Sequence, residues 1–118
     1  MTQNTPTKQL PDRAQVVIVG GGVIGSSVAY HLTKLGWTDV VLLEQSKLTS
    51  GTTWHAAGLI VSGGMTTETS AWMAKYTREL YEVLEAETEL STGFSPVGYI
   101  QTGATPERLD KLRREADF

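Results

Sequence analysis

The sequence predicts an α/β fold that begins with a parallel βαβ unit, and three observations predict it. Val16-Val17-Ile18-Val19 is a continuous β-branched run, Gly20-Gly21-Gly22-Val23-Ile24-Gly25 follows with no spacer, and a second apolar run, Val40-Val41-Leu42-Leu43, comes after a stretch with helical spacing. Unbroken apolar runs suit parallel strands covered on both faces, whereas half-exposed strands alternate. Two such runs joined by a helix pair through a right-handed crossover.

The elements follow in order. Residues 1–14 are polar, carry Pro6 and Pro11, and read as a disordered lead-in with neither a secretory apolar core nor the arginine-rich character of a transit peptide. Residues 15–65 hold the βαβ unit and the segment that follows it. Beyond the glycines, Ile24, Val28, Leu32 and Leu35 recur at helical spacing, and Gly36 stands where a left-handed C-terminal cap is expected. Asp39 then introduces the second strand, which ends on Glu44. Residues 66–118 read as helix, strand and helix. Trp72, Tyr76, Leu80, Val83 and Leu84 make one face of a helix between Thr66 and Leu90, with Lys75–Glu79 and Arg78–Glu82 spaced as exposed ion pairs. Val97–Thr102 alternates like a strand of an antiparallel sheet. Thr105 and Pro106 start a last helix, whose inner stripe would be Leu109, Leu112 and Ala116.

Composition excludes several classes. At 118 residues there is about one domain's worth of chain. A net charge of −3 gives no broad basic surface, so neither nucleic acid nor an anionic membrane is an expected partner. The absence of cysteine excludes disulfides, thiolate metal sites and cysteine nucleophiles from these residues. No run approaches the roughly 18 apolar residues of a spanning helix. A soluble, cytoplasmic protein is expected.

The glycines explain the chemistry of the first unit. Gly20 allows a tight turn off the strand, Gly22 lets the backbone approach a pyrophosphate, and Gly25 lets the helix pack closely on the strand. The phosphates then meet free N–H groups and the positive end of the helix dipole. Glu44 lies 24 positions after Gly20, at the tip of the second strand, where a carboxylate accepts both ribose hydroxyls and repels a 2′-phosphate. Strand, turn, helix, second strand and terminal acid together make a Rossmann-like dinucleotide site. They leave NAD and FAD both open.

The next segment separates the two. Ser50-Gly51-Thr52-Thr53-Trp54-His55-Ala56-Ala57-Gly58-Leu59 sets a single Trp-His pair among small residues, and it resembles the flavin-contacting segment of the sarcosine and dimethylglycine dehydrogenase family. The likeness runs from about Val16 to the end, through Ala74-Lys75-Tyr76, Leu84-Glu85-Ala86-Glu87-Thr88, Gly93-Phe94, Gly98-Tyr99-Ile100 and Thr105-Pro106-Glu107-Arg108-Leu109. The Thr-Trp-His-Ala-Ala-Gly string is its specific part.

The resemblance implies a Rossmann-like FAD-binding unit followed by the beginning of an α+β substrate domain, with FAD carried covalently on His55. A neutral imidazole is a competent nucleophile near neutral pH, and small neighbours admit the flavin edge. The cofactor set it implies is Gly20, Gly22, Val23, Ile24, Gly25, Glu44, Gln45, Ser50, Thr52, Thr53 and His55. It further implies FAD-dependent oxidation of N-methyl amino acids such as sarcosine or dimethylglycine, by hydride transfer from the carbon next to nitrogen. Water or folate would capture the resulting iminium, and an electron-transfer protein is an alternative acceptor to oxygen. Family members are several times longer, so the chain reads as truncated, inactive by itself, with its catalytic residues beyond Phe118. No catalytic residue or metal ligand is assigned here.

Two other functions share these residues: a non-covalent FAD amino-acid oxidase, and a non-enzymatic regulatory homologue such as a pyruvate dehydrogenase phosphatase regulatory subunit. Single residues also have plainer roles. His31 sits within the first helix and reads as a packed or surface histidine, Trp54 as shielding the cofactor or packing, and the acidic set Glu79, Glu82, Glu85, Glu87 and Glu89 as a solvated face.

Overall fold

In the computed structural model, residues 10–116 are described. The disordered lead-in expected for 1–14 therefore falls mostly outside them; residues 10–14 form no helix or strand. The chain divides into two compact units, one ending at Ala57 and the other beginning at Gly58.

The first unit is the expected βαβ. β1 (Val16–Val19) and β2 (Val40–Leu43) pair in parallel, with Val16 opposite Val40 and Val19 opposite Leu43. α1 (Val23–Lys34) is the crossover between them. Asp39 pins the open end of the ladder: its carbonyl accepts from Val16 N–H at 3.2 Å and its carboxylate from Gln15 N–H at 3.0 Å. Helix α1 ends in the expected left-handed cap. Gly36 has φ +89°, its N–H reaches Thr33 O, and Trp37 N–H reaches Leu32 O, both at 3.0 Å. That pair of bonds satisfies carbonyls the helix would otherwise leave open.

Helix and sheet meet through small residues. Ile18 is the one buried large apolar side chain among the described residues, at 9% exposure, and it points at the first turn of α1, where only a glycine fits. The strands are not covered on both faces as their composition predicts: Val17 is half exposed and Val19 is 84% exposed. One helix over two strands can cover only one face, and the apolar residues Ile24 and Val28 of α1 and Leu35 at its C-cap are left exposed as well.

In the second unit, α2 (Glu68–Thr88) starts on Thr67, whose hydroxyl accepts from Ser70 N–H at 3.1 Å while Ser70 returns a bond to Thr67 N–H. This capping box fixes the helix start. The expected Lys75–Glu79 and Arg78–Glu82 pairs are present at 3.9 and 3.7 Å, both exposed. Thr105 caps α3 (Pro106–Ala116) by accepting from Arg108 N–H at 3.3 Å, with Pro106 in the first turn as expected.

Two expectations fail here. Val97–Thr102 is not a strand: no ladder partner lies beside it among the described residues. Alternation supplies a strand's two faces, but a strand exists only when another backbone takes up its N–H and C=O groups. The inner stripes of α2 and α3 are likewise not covered, since neither helix buries a residue, and Trp72, Val83 and Leu109 are exposed. Helical spacing marks a face for burial; the covering surface has to come from elsewhere.

Candidate dinucleotide and flavin site

The site grows from the carboxyl end of β1. Gly20 leaves the strand with φ +103°, a conformation that side chains disfavour even though open space surrounds the position. Its N–H donates to Leu43 O at 2.8 Å, closing the end of the sheet. Gly25 is required for a different reason. A Cβ there would run into the Gly20 carbonyl oxygen and sit 3.0 Å from the carbonyl carbon and 3.3 Å from Ile18 Cγ2. The first turn of α1 therefore lies directly on the strand it leaves.

Between them stands the helix N-terminus. Gly22 is the N-cap, with extended backbone and no side chain to satisfy the first N–H groups. One is satisfied from a distance of 30 residues: Val23 N–H donates to Thr53 Oγ1 at 2.9 Å. The N–H groups of Gly22, Ile24 and Gly25 have no partner among the described residues. With the positive end of the α1 dipole, they make a mouth that can take an anion such as a phosphate.

Glu44 closes the other side of the turn. One carboxylate oxygen accepts from Gly21 N–H at 2.7 Å and the other from Ser46 N–H at 2.9 Å. These two donors, Gly21 first, hold its carboxyl below the usual carboxylate range. Glu44 is thus charged at neutral pH and fixed at the tip of β2, and an ionised carboxylate still has lone pairs for ribose hydroxyls.

Chain 46–55 folds back over the glycines. Thr49 N–H donates to Gly21 O at 2.9 Å, with Thr49 in the left-handed region at φ +63°. Leu48 Cδ2 lies so close to Gly21 that a Cβ there would be 2.5 Å away. Next comes a short 3-10 turn, Thr52–His55. His55 Nδ1 lies 2.9 Å from Gly51 O. A carbonyl only accepts, so Nδ1 carries the proton and, in the neutral ring, the lone pair is on Nε2. Nothing among the described residues bonds Nε2, and the side chain is exposed.

Several predicted site residues therefore come together in the first unit: Gly20, Gly22, Val23, Ile24, Gly25 and Glu44 around the turn, with Thr53 reaching it from the 3-10 segment. His55 rides on that same segment. Gln45, Ser50 and Thr52 are exposed on the connecting chain, and Ser50 Oγ bonds Lys47 O at 2.7 Å. Trp54 is 79% exposed. His31 is a local helix residue, as expected: Nδ1 donates to Ser27 O at 2.7 Å and the ring meets Tyr30 edge-on at 5.1 Å.

Sequence reasoning passed over Gly21, Leu48 and Thr49. The middle glycine was visible, but its need comes from Leu48 and Glu44 crowding it. A left-handed threonine has no sequence signal, because β-branched residues ordinarily avoid that region. Among the described residues no three histidine, aspartate or glutamate side chains converge as a metal site, and no helix is long and apolar enough to cross a membrane.

Comparison with known proteins agrees with this geometry. Residues 15–118 match the family DAO, described as FAD dependent oxidoreductase. The chain is 49% identical over 105 residues to the mitochondrial pyruvate dehydrogenase phosphatase regulatory subunit of Mus musculus, covering 89% of this chain and 12% of that protein. It is 48% identical over 104 residues to the mitochondrial dimethylglycine dehydrogenase of Rattus norvegicus, covering 86% and 12%. It thus spans about an eighth of the length of these relatives. Among solved structures, the L-amino acid deaminase from Proteus vulgaris superposes with a TM-score of 0.82 over 92% of this chain and 25% of that one, at 23% identity, a likeness of fold.

Proposed function

Since the chain belongs to the DAO family of FAD dependent oxidoreductases, we propose that it is the nucleotide-binding and flavin-tethering part of an enzyme that oxidises N-methyl amino acids such as sarcosine or dimethylglycine. The observation that carries the reading is the union, in one compact unit, of the glycine mouth and the Thr52–His55 turn that caps it. The group fits the residues present: only glycine is tolerated where α1 meets β1, three N–H groups face the mouth, and Glu44 stands charged beside it. When bound, FAD supplies the acceptor for a hydride equivalent from the carbon next to the substrate nitrogen.

The chain's own residues bind and orient. The N–H groups of Gly22, Ile24 and Gly25 take the pyrophosphate, Glu44 takes the adenine ribose and excludes a 2′-phosphate, and His55 holds the flavin through Nε2. Gly51 O assists by fixing the proton on Nδ1. The N-methyl amino acid, and folate or an electron-transfer protein as further partners, meet other parts of the protein, so these 118 residues alone are expected to turn nothing over. A cytoplasmic location is part of the same proposal, against the mitochondrial location in the names of both relatives above; fractionation of cells expressing the tagged protein checks it.

The test is acid precipitation of the full-length holoprotein. Flavin should stay with the pellet and on a tryptic peptide containing His55, and His55→Ala should release it while FAD binding persists. Flavin released entirely from the wild-type protein would replace this reading with a non-covalent oxidase. A second reading has its own support in the 49% identity to a regulatory subunit. A full-length flavoprotein with no turnover of any N-methyl amine would favour it.

A further inference from the structure

The 3-10 turn that carries His55 is wired to the helix that opens the glycine mouth, and the wire is a single side chain. Helix α1 has glycine at its N-cap and no cap of its own. Thr53 supplies one from across the fold, accepting Val23 N–H at 2.9 Å, and a Cβ on Gly22 would meet nothing but the same oxygen, 3.1 Å away. The turn itself is held by Trp54 N–H to Gly51 O at 3.1 Å and Ala56 N–H to Thr53 O at 3.2 Å. Among the described residues, the other ties of this stretch to the glycines are upstream, at Leu48 and Thr49.

We infer that Thr53 is a positioning residue that couples occupancy of the glycine mouth to the order of the Thr52–His55 turn, so that the adenosine diphosphate half of the cofactor, once seated, sets His55 in place for the flavin half. The inference rests on the proposed nucleotide site and goes beyond it, because it assigns Thr53 a role between two subsites. An anion in the mouth draws α1's first N–H groups into a fixed arrangement. Val23 N–H is one of that set, so its acceptor, Thr53 Oγ1, is ordered with it, and Trp54 to Ala56 follow. Coupling of this kind is reciprocal: whatever fixes the turn must tighten the mouth equally. His55 here is acted upon, and Thr53 need touch no reacting atom.

ADP is the probe, because it fills the mouth and has no flavin to touch His55. Apo full-length protein is exchanged in deuterated water with and without saturating ADP, and peptides covering 21–26 and 53–56 are followed in wild type, Thr53→Val and Thr53→Ser. In wild type and Thr53→Ser, ADP should slow exchange in both segments, by at least about fivefold in 53–56, the lower end of ordinary coupling. In Thr53→Val, which keeps the shape and loses the acceptor, ADP should still protect 21–26 and leave 53–56 as in the apo protein. Protection of 53–56 that survives in Thr53→Val, or is missing in wild type while 21–26 is protected, overturns the coupling and leaves the nucleotide site standing. Loss of protection at 21–26 in wild type overturns both. A Thr53→Val chain that fails to fold shows itself in the apo exchange of β1 and β2, and Thr53→Ala and Thr53→Asn then carry the comparison, the first without an acceptor and the second with one.

Discussion

Replacing Gly25 with alanine tests whether close packing of α1 on β1 is what makes the mouth. The added methyl would collide with the Gly20 carbonyl oxygen, and it would also stand 3.0 Å from that carbonyl carbon and 3.3 Å from Ile18 Cγ2. Backbone cannot rotate aside as a side chain does, so the first turn of α1 has to lift from the strand. Overpacking of this kind destabilises by about 1–3 kcal/mol. Binding suffers separately, because the Gly22, Ile24 and Gly25 donors move with the helix. Each hydrogen bond to a charged acceptor contributes about 1.5–3 kcal/mol, so losing one weakens FAD by roughly 10- to 150-fold. The assay is FAD titration of folded apo full-length protein by flavin fluorescence, with urea unfolding in parallel. Ser27→Ala, at an exposed position of the same helix, is the control and should bind as wild type. If Gly25→Ala binds FAD within twofold of wild type, the close approach seen here does not shape the site.

Other perturbations have equally definite outcomes. Glu44 is held below its usual pKa by Gly21 and Ser46 N–H groups, so its contribution is complete above the ordinary value of 4.5 and is lost as pH falls through the lowered one. FAD affinity of the apo protein, read with FAD because its pyrophosphate diester has no group that titrates near neutrality, should therefore be flat from about pH 5.5 to neutrality and fall below the carboxylate range, whereas Glu44→Gln, which keeps an acceptor and loses the charge, should bind more weakly near neutrality without that acid limb. A wild-type affinity that changes instead around neutral pH would assign the titration to another group. Thr67→Ala removes the acceptor from the capping box of α2 and should destabilise the helix by about 1 kcal/mol; circular dichroism of a peptide spanning 64–90 should show the lost helicity, and Thr67→Ser should restore it.

The local pieces of this molecule were legible in its residues because each depends on neighbours in sequence. The run Val16–Val19, the glycine turn, the helix closed by Gly36 and the strand ending on Glu44 stand where their patterns put them. Thr105 and Pro106 start α3, and the i,i+4 pairs of α2 form, for the same reason. Even Gly20 and Gly25 were readable, since a turn and a close approach are both demands that glycine alone meets. What tertiary structure decided were the long-range contacts. That Thr53 would cap a helix 30 residues away, that Leu48 and Thr49 would clasp Gly21, and that Glu44 would spend hydrogen bonds on Gly21 and Ser46 are consequences of how the chain returns to the end of the sheet. Nothing in the local pattern encodes that return. Burial follows the same division: periodicity marks Val97–Thr102, the α2 face and the α3 stripe as surfaces to be covered, but covering requires a second surface, and these stay open for want of one among the described residues.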